Sequence, residues 1–595
     1  MSPTRYRIVP LDPHAHLFEV SVTVDDPSPE GHRFRLPTWI PGSYLVREFA
    51  RHFVHVRASA AGAALAIAKT DKSTWRTAPA TGSVTVVAHV YAFDLSVRAA
   101  YVDDTRAYFN GPSVFLLPEG RDDAPCVVEI APPPGPAYSA WRVATTLSRD
   151  DAPERGFGTY RASSYDELID HPVEMGEFAW ASFDVRGVPH EIAITGRHDA
   201  DLARLARDLA RICDWQIALF GEAPFDRYLF QVTAVGDGYG GLEHRSSTSL
   251  LCRRDELPHL SNDKIDDDYL TFLGLASHEY FHAWNVKRIK PAAFVPYDLT
   301  REAYTRQLWA FEGFTSYYDD LALVRSGVIE RERYLELLGR TLTSVARVPG
   351  RLTQSVAESS FDAWIKFYRQ DENAPNALVS YYAKGSLVGC ALDLVLRLDG
   401  ASLDDLMRAL WQRYGRRGIG VPEDAIARLA SELAGRDLAP FFARYVDGTE
   451  DPPFAELLTD FGVTLHMRPS AGAKDRGGKP ASGEAPRCTL GVRLGADQRL
   501  SAVLRDAPAA RAGLAGHDVL VAIDGLKATP ERIAATLSRH APGETIEVHA
   551  FRRDELRRFA VTLDAAPDDT CYLTLDPAAS PQAEARRNAW LGGDV

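Results

Sequence analysis

The chain has 595 residues, 45% of them hydrophobic, and a formal net charge of −14. That charge disfavours nucleic acid and anionic membrane as partners, and without an 18-residue apolar run no transmembrane helix is expected. At ~150 residues per domain the length predicts about four domains. The six cysteines carry no C-x-x-C clip, so reduced thiols are expected.

Residues 1–185 read as a β domain. Val/Phe/Tyr-rich runs such as His16-Leu17-Phe18-Glu19-Val20-Ser21-Val22-Thr23-Val24 alternate with Pro and Gly turns. Met1 to Arg7 lack the apolar core of a signal peptide, which predicts a cytoplasmic protein. From 186 to 330 the pattern is α/β. Leu202, Leu205, Leu209 and Ile212 recur at helical spacing, and an apolar strand runs from Tyr228 to Val235. Gly236, Gly238, Gly240 and Gly241 then lead into Glu243 and His244. Glycine lets the backbone approach a ligand closely. A carboxylate at the end of such an edge strand can pair with the α-ammonium of a peptide, and the same pattern also suits a turn with an exposed Glu.

His278-Glu279-Tyr280-Phe281-His282 reads H-E-x-x-H. In a helix, positions i and i+4 lie about 40° apart, so both imidazoles leave one face and can share a zinc ion. Glu279 is angled to the side, where it can hold a water at the metal. Upstream, Tyr269, Leu270, Phe272, Leu273, Leu275 and Ala276 make the helix apolar, and Asp266, Asp267 and Asp268 mark its N-terminus. This helix is expected to end near Pro291. A catalytic zinc needs a third ligand. Glu312, a single carboxylate in Trp309-Ala310-Phe311-Glu312-Gly313-Phe314-Thr315-Ser316-Tyr317-Tyr318, is the candidate. Two His and one Glu is the ligand set of thermolysin-like hydrolases.

Residues 331–466 read as helical, and Tyr381 and Tyr382 stand ahead of a stripe of Leu392, Leu394, Val395 and Leu396. Either phenol could donate to a developing oxyanion or pack in a core. Residues 467–487, rich in Gly, Ala, Ser and Lys, are predicted to be a flexible linker. Residues 488–567 contain Thr489-Leu490-Gly491-Val492 and Ala512-Gly513-Leu514-Ala515-Gly516-His517-Asp518-Val519-Leu520. This segment resembles a PDZ domain, in which a peptide joins a strand edge and the first loop, here Thr489 to Val492, holds its terminal carboxylate. The tail, 568–595, is polar and Ala-rich and is predicted to be disordered.

H-E-Y-F-H-A-W-N-V-K-R-I-K-P followed by W-A-F-E-G-F-T-S-Y-Y resembles the PDZ-containing glycyl aminopeptidase family of zinc metallopeptidases. That family is similar to the larger group around aminopeptidase N and leukotriene hydrolase. Gly240-Gly241-Leu242-Glu243-His244 takes the place of that group's Gly-x-Met-Glu-Asn, with His244 departing from its Asn. Tyr382-Ala383-Lys384-Gly385 matches its Tyr-x-Lys-Gly, and Pro37-Thr38-Trp39-Ile40-Pro41-Gly42-Ser43-Tyr44 resembles a signature of the N-terminal domain. The resemblance implies a multidomain α+β protein: a β domain, a thermolysin-like zinc domain with a helical lobe, and a PDZ domain. It implies one Zn²⁺ per chain, Glu243 as amine anchor, Tyr382 rather than Tyr381 as oxyanion donor, and release of a small N-terminal residue, Gly or Ala, from peptides. Two other readings fit the same residues: a zinc endopeptidase fed by its PDZ domain, and a non-catalytic chaperone or scaffold.

Overall fold

The computed structural model describes residues 2–262 and 264–592. Packing divides the chain into two compact units, Met1–Ala303 with Trp411–Val421, and Tyr304–Leu410 with Pro422–Val595.

The first unit opens with the predicted β domain. In Leu17–Val24 every second residue is buried, as a sheet with one face on a core requires. It lies between Thr4–Asp12 and Val84–Tyr91 in an eight-stranded sheet. The sheet's inward residues, among them Phe18, Val20, Val22, Val86 and Ile130, form the core with Phe34 and Phe109. Two four-stranded sheets complete the layer. The boundary differs from the sequence expectation. Ala179–Val185 pairs antiparallel with Val188–Thr195 and so belongs to the next, five-stranded sheet. The hairpin turns on Arg186 and Gly187, both at positive φ (54° and 81°), the conformation a tight hairpin needs.

In that sheet Tyr228–Val235 is central and parallel to Val188–Thr195 and Ser247–Arg253, and Gly240–Glu243 forms the antiparallel edge. The helix Leu202–Phe220 is capped by Asp201, whose side chain accepts from the Arg204 N–H, and buries Leu205, Leu209 and Ile212. The H-E-x-x-H helix, Asp267–Phe281, starts at Asp266, which accepts the Tyr269 N–H at 2.9 Å. It packs on Gly240–Glu243 and Ser247–Arg253. It stops at Phe281, ten residues before Pro291. The N–H groups of Ala283 and Trp284 turn back to the carbonyls of Tyr280 and Phe281, which tightens the chain into short turns. Nothing in Ala283-Trp284-Asn285-Val286 announces that stop.

The second unit is helical through most of 304–460, with Gly313–Arg325 and Ala383–Leu398 in contact. A Cβ on Gly313 would strike the backbone of Gly385, so glycine at both positions sets how closely these helices approach. Residues 467–487 are tied to this unit at several points. Arg468 pairs with Asp475 at 2.5 Å, Arg347 donates to the Asp475 carbonyl at 2.6 Å, and the Gly478 N–H donates to Cys571 O at 2.7 Å. The tail is also corrected. Thr570–Leu575 pairs with Val463–Arg468, and Pro581–Leu591 is a helix that buries Trp590 completely, its indole N–H donating to the Tyr317 hydroxyl at 2.9 Å. One large aromatic supplies the burial that the Ala-rich composition conceals; residues 593–595 lie outside the described residues. Residues 488–567 have their own core of Leu490, Leu500, Leu520, Ile523, Val548 and Val561. A four-stranded sheet, two two-stranded pairs and the helix Pro530–Arg539 surround it.

Among the described residues no helix is long and apolar enough to cross a membrane. All six cysteines are buried and unpaired.

Candidate active site

The last turn of the H-E-x-x-H helix brings His278 and His282 together, their Nε2 atoms 3.0 Å apart. Two bonds of about 2.05 Å at a tetrahedral angle would set the nitrogens about 3.3 Å apart, so the pair fits one zinc ion. Asn285, in the turn after the helix, offers its carbonyl to His282 Nδ1 at 2.6 Å. That contact makes Nδ1 the protonated nitrogen and leaves the Nε2 lone pair for a metal. The helix is held from behind. Gln216 donates to Ser277 O at 3.0 Å, and the Tyr280 hydroxyl meets His190 Nε2 at 2.8 Å.

Glu279 is buried beside the two histidines. Burial raises its carboxyl to about 7; the neighbouring Glu243 adds to the shift and the histidines oppose it. Glu243 ends the edge strand. Ligand atoms of Glu243, Glu279 and His282 all lie within 4.8 Å of one another. Glu243 Oε1 and Glu279 Oε2 are buried with no hydrogen-bond partner among the described residues. A buried carboxylate oxygen left bare is expensive, so this donor set suits a cation.

The glycines before Glu243 have a steric reason. A Cβ on Gly241 would collide with the Glu279 carboxylate, and Gly240 faces the Arg98 guanidinium. Arg98 also donates to the Gly241 carbonyl at 3.0 Å. Gly42, in Pro41-Gly42-Ser43, lies against the Glu243 carboxylate at φ +92°, where a Cβ would overlap it. Sequence reasoning singled out the segment around Gly42 but not this contact, and it missed Arg98 and Asp170 altogether. Asp170 accepts from His244 Nδ1 at 3.1 Å and from Lys287 Nζ at 2.7 Å. His244 thus turns away from Glu243 into a separate buried pairing, and burial lowers its pKa below the usual imidazole value. None of the three belongs to a local motif that carries chemistry.

The remaining candidates lie in the second unit. Glu312 is buried at the break between Leu308–Phe311 and Gly313–Arg325, where its N–H donates to Leu308 O at 2.8 Å and its carbonyl accepts from the Ser316 N–H at 2.7 Å. Tyr381 is fully buried, while Tyr382 is partly exposed at the start of Ala383–Leu398 with its hydroxyl 3.0 Å from that of Tyr368. In the loop Thr489 to Val492, Leu490 is core, and the Gly491 N–H donates to Thr489 Oγ1 at 3.0 Å.

Residues 5–177 match the model of the Peptidase M61 N-terminal domain, and residues 271–388 match that of the M61 glycyl aminopeptidase. At 41% identity, 99% of the chain matches 100% of an aminopeptidase N family protein from Idiomarina loihiensis, with a TM-score of 0.95. An M1 zinc metallopeptidase from Deinococcus radiodurans is more distant, at 14% identity and a TM-score of 0.47 over 76% of this chain and 94% of that one. No curated protein matches. The chain belongs to the M61 glycyl aminopeptidase family and is a metallopeptidase.

Proposed function

We propose that the enzyme removes one small N-terminal residue, glycine or alanine, from peptides. The observation that carries this reading is the pair of bare, buried carboxylate oxygens on Glu243 and Glu279. His278, His282 and Glu312 hold one Zn²⁺ per chain. A bound zinc supplies Lewis acidity and lowers the pKa of a coordinated water. Glu243 pairs with the substrate's α-ammonium and so sets the register from the N-terminus. Glu279 takes a proton from the attacking water and returns it to the leaving amine. Tyr382 donates its hydroxyl to the developing oxyanion. The Pro41-Gly42-Ser43 turn against the Glu243 carboxylate limits the room beside the amine, which supports a small first residue.

Residues 488–567 form a PDZ-type domain that takes a peptide along Val492–Leu494, with the Thr489–Val492 loop holding its carboxylate. A ligand there would displace the Thr489 hydroxyl from the Gly491 N–H. The lobe carrying the H-E-x-x-H helix is thermolysin-like, and the unpaired cysteines suit a reducing, cytoplasmic setting.

The test compares a glycyl peptide with its N-acetylated twin, with and without a chelator. The free-amine peptide should be cleaved in a chelator-sensitive way and the acetylated one refused. Equal cleavage of both would make the enzyme an endopeptidase. Full zinc occupancy in a His278→Ala/His282→Ala double variant would overturn the metal assignment.

A further inference from the structure

The first unit holds a cavity of about 730 Å³ whose lining includes neither Glu243 nor Glu279, within the ~300–1,000 Å³ typical of small-ligand sites. One wall is Lys287, Arg288 and Lys290, part of the motif that follows the H-E-x-x-H helix and to which the reaction gives no role. Arg245, Lys287, Arg288, Lys290 and Arg35 all line the cavity. Their counter-charge is short. Asp170 lies 2.7 Å from Lys287 Nζ and 3.3 Å from Arg245 Nε, and Asp166 pairs with Arg245. Arg288 instead donates to the carbonyls of Arg245, Ala283 and Pro224, at 3.0, 2.7 and 2.6 Å.

The Lys290 ammonium sits 4.6 Å from the centre of the Tyr297 ring and has no carboxylate or hydrogen-bond partner among the described residues. Arg35 has no ion pair within 4 Å among them, although its charge reaches Asp71, outside this cavity's lining. Of the other lining acids, Asp298 is held by Arg301 at 2.7 Å, and Asp122 and Asp123 are exposed. Five cations therefore share two carboxylates within ion-pair reach. Burial, with Lys287 and Arg245 next, pushes the Lys290 amine down to about 8. Enclosed like charges are stable only when a counter-ion joins them.

We propose that this cavity binds a small oxyanion, a phosphate or a carboxylate, on Lys290 and Arg35, with the ligand's apolar body against Phe294 and Tyr297. The cavity's lining includes none of Glu243, His278, Glu279 and His282, and the proposal does not depend on the peptide specificity proposed above.

The test uses the zinc-loaded full chain. Calorimetry and thermal unfolding are followed with inorganic phosphate, with succinate, and with sodium chloride at matched ionic strength. Phosphate or succinate should bind saturably where chloride does not, and the arm that binds identifies the headgroup. Lys290→Met should weaken binding tenfold or more, Arg35→Met should weaken it, and Lys290→Arg should retain it. A second measurement does not need a folded variant. Pyridoxal 5′-phosphate forms an imine with the Lys290 amine, losing water, and borohydride reduces it to a secondary amine for peptide mapping. Lys290 should be labelled first and protected by the ion that binds. Absence of saturable binding in both arms, binding unchanged in Lys290→Met, or labelling that ignores Lys290 would each overturn the proposal.

Discussion

Two of the buried polar clusters in the first unit are fed by neighbouring residues of the chain. Glu243 goes to one and His244 to the other; His282 goes to one and Lys287 to the other. The Asp170 carboxylate itself is matched on both oxygens. It accepts from His244, Lys287 and the Arg245 backbone N–H, and the atom left over is His244 Nε2, a bare ring nitrogen. Around Glu279 the balance is reversed, with two carboxylate oxygens enclosed and unmatched among the described residues. A matched buried cluster stabilises the fold, whereas an unmatched one is completed by what it binds. Substitutions in the first should therefore be read in stability and those in the second in catalysis.

The sharpest way to break this contrast is Glu279→Gln. It keeps the shape, cannot accept a proton, and should lower kcat roughly 100- to 10,000-fold. Zinc content by elemental analysis should be unchanged and Tm should not fall. A Tm loss with kcat intact would place Glu279 in the stabilising class.

Asp170→Asn is the reciprocal case. It leaves Lys287 buried without its anion and should cost about 3–5 kcal/mol in denaturant unfolding. The sign of the pH effect follows from Lys287, His244 and Arg245, which hold the Asp170 carboxyl well below the usual range against the opposing effect of burial. A carboxylate with a depressed folded-state pKa contributes stability above its unfolded pKa of about 3.9, and that contribution is lost as pH falls through the folded value. The acid limb of the stability curve should therefore flatten in Asp170→Asn. An acid limb identical to wild type would remove Asp170 from the account.

Glu243→Gln should weaken kcat/KM for free-amine substrates roughly 10- to 150-fold, the worth of a charge-assisted hydrogen bond of ~1.5–3 kcal/mol. Zinc content should hold, and Tm should stay level or rise because an enclosed unpartnered charge has gone. Unchanged kcat/KM would deny it the amine.

His244→Asn has the smallest expected effect, a loss of under about 1 kcal/mol, because an amide N–H can replace the ring N–H to Asp170 and only a small void remains. A large fall in kcat/KM at unchanged Tm would instead put His244 on the substrate side.

The H-E-x-x-H helix was legible because its chemistry is local. A four-residue spacing fixes two imidazoles on one face whatever surrounds them, and Asp266 and the apolar run fixed its start. The period-2 runs of the β domain and the glycines ahead of Glu243 were legible for the same reason, since neighbours in sequence are neighbours in space. Where the helix stops was not, because short turns after Phe281 replace the Gly or Pro that usually announces an end. Nor was the order of the tail, where Trp590, Leu591 and a strand paired with Val463–Arg468 outweigh an Ala-rich composition. The sequence determined which groups can carry the chemistry. Only the tertiary structure decided which of two adjacent side chains, Glu243 or His244, is left without a partner, and that depends on Gly42, Arg98 and Asp170, all at least 70 positions away in the chain. Burial and hydrogen-bond matching are sums over such distant neighbours, so no local pattern contains them.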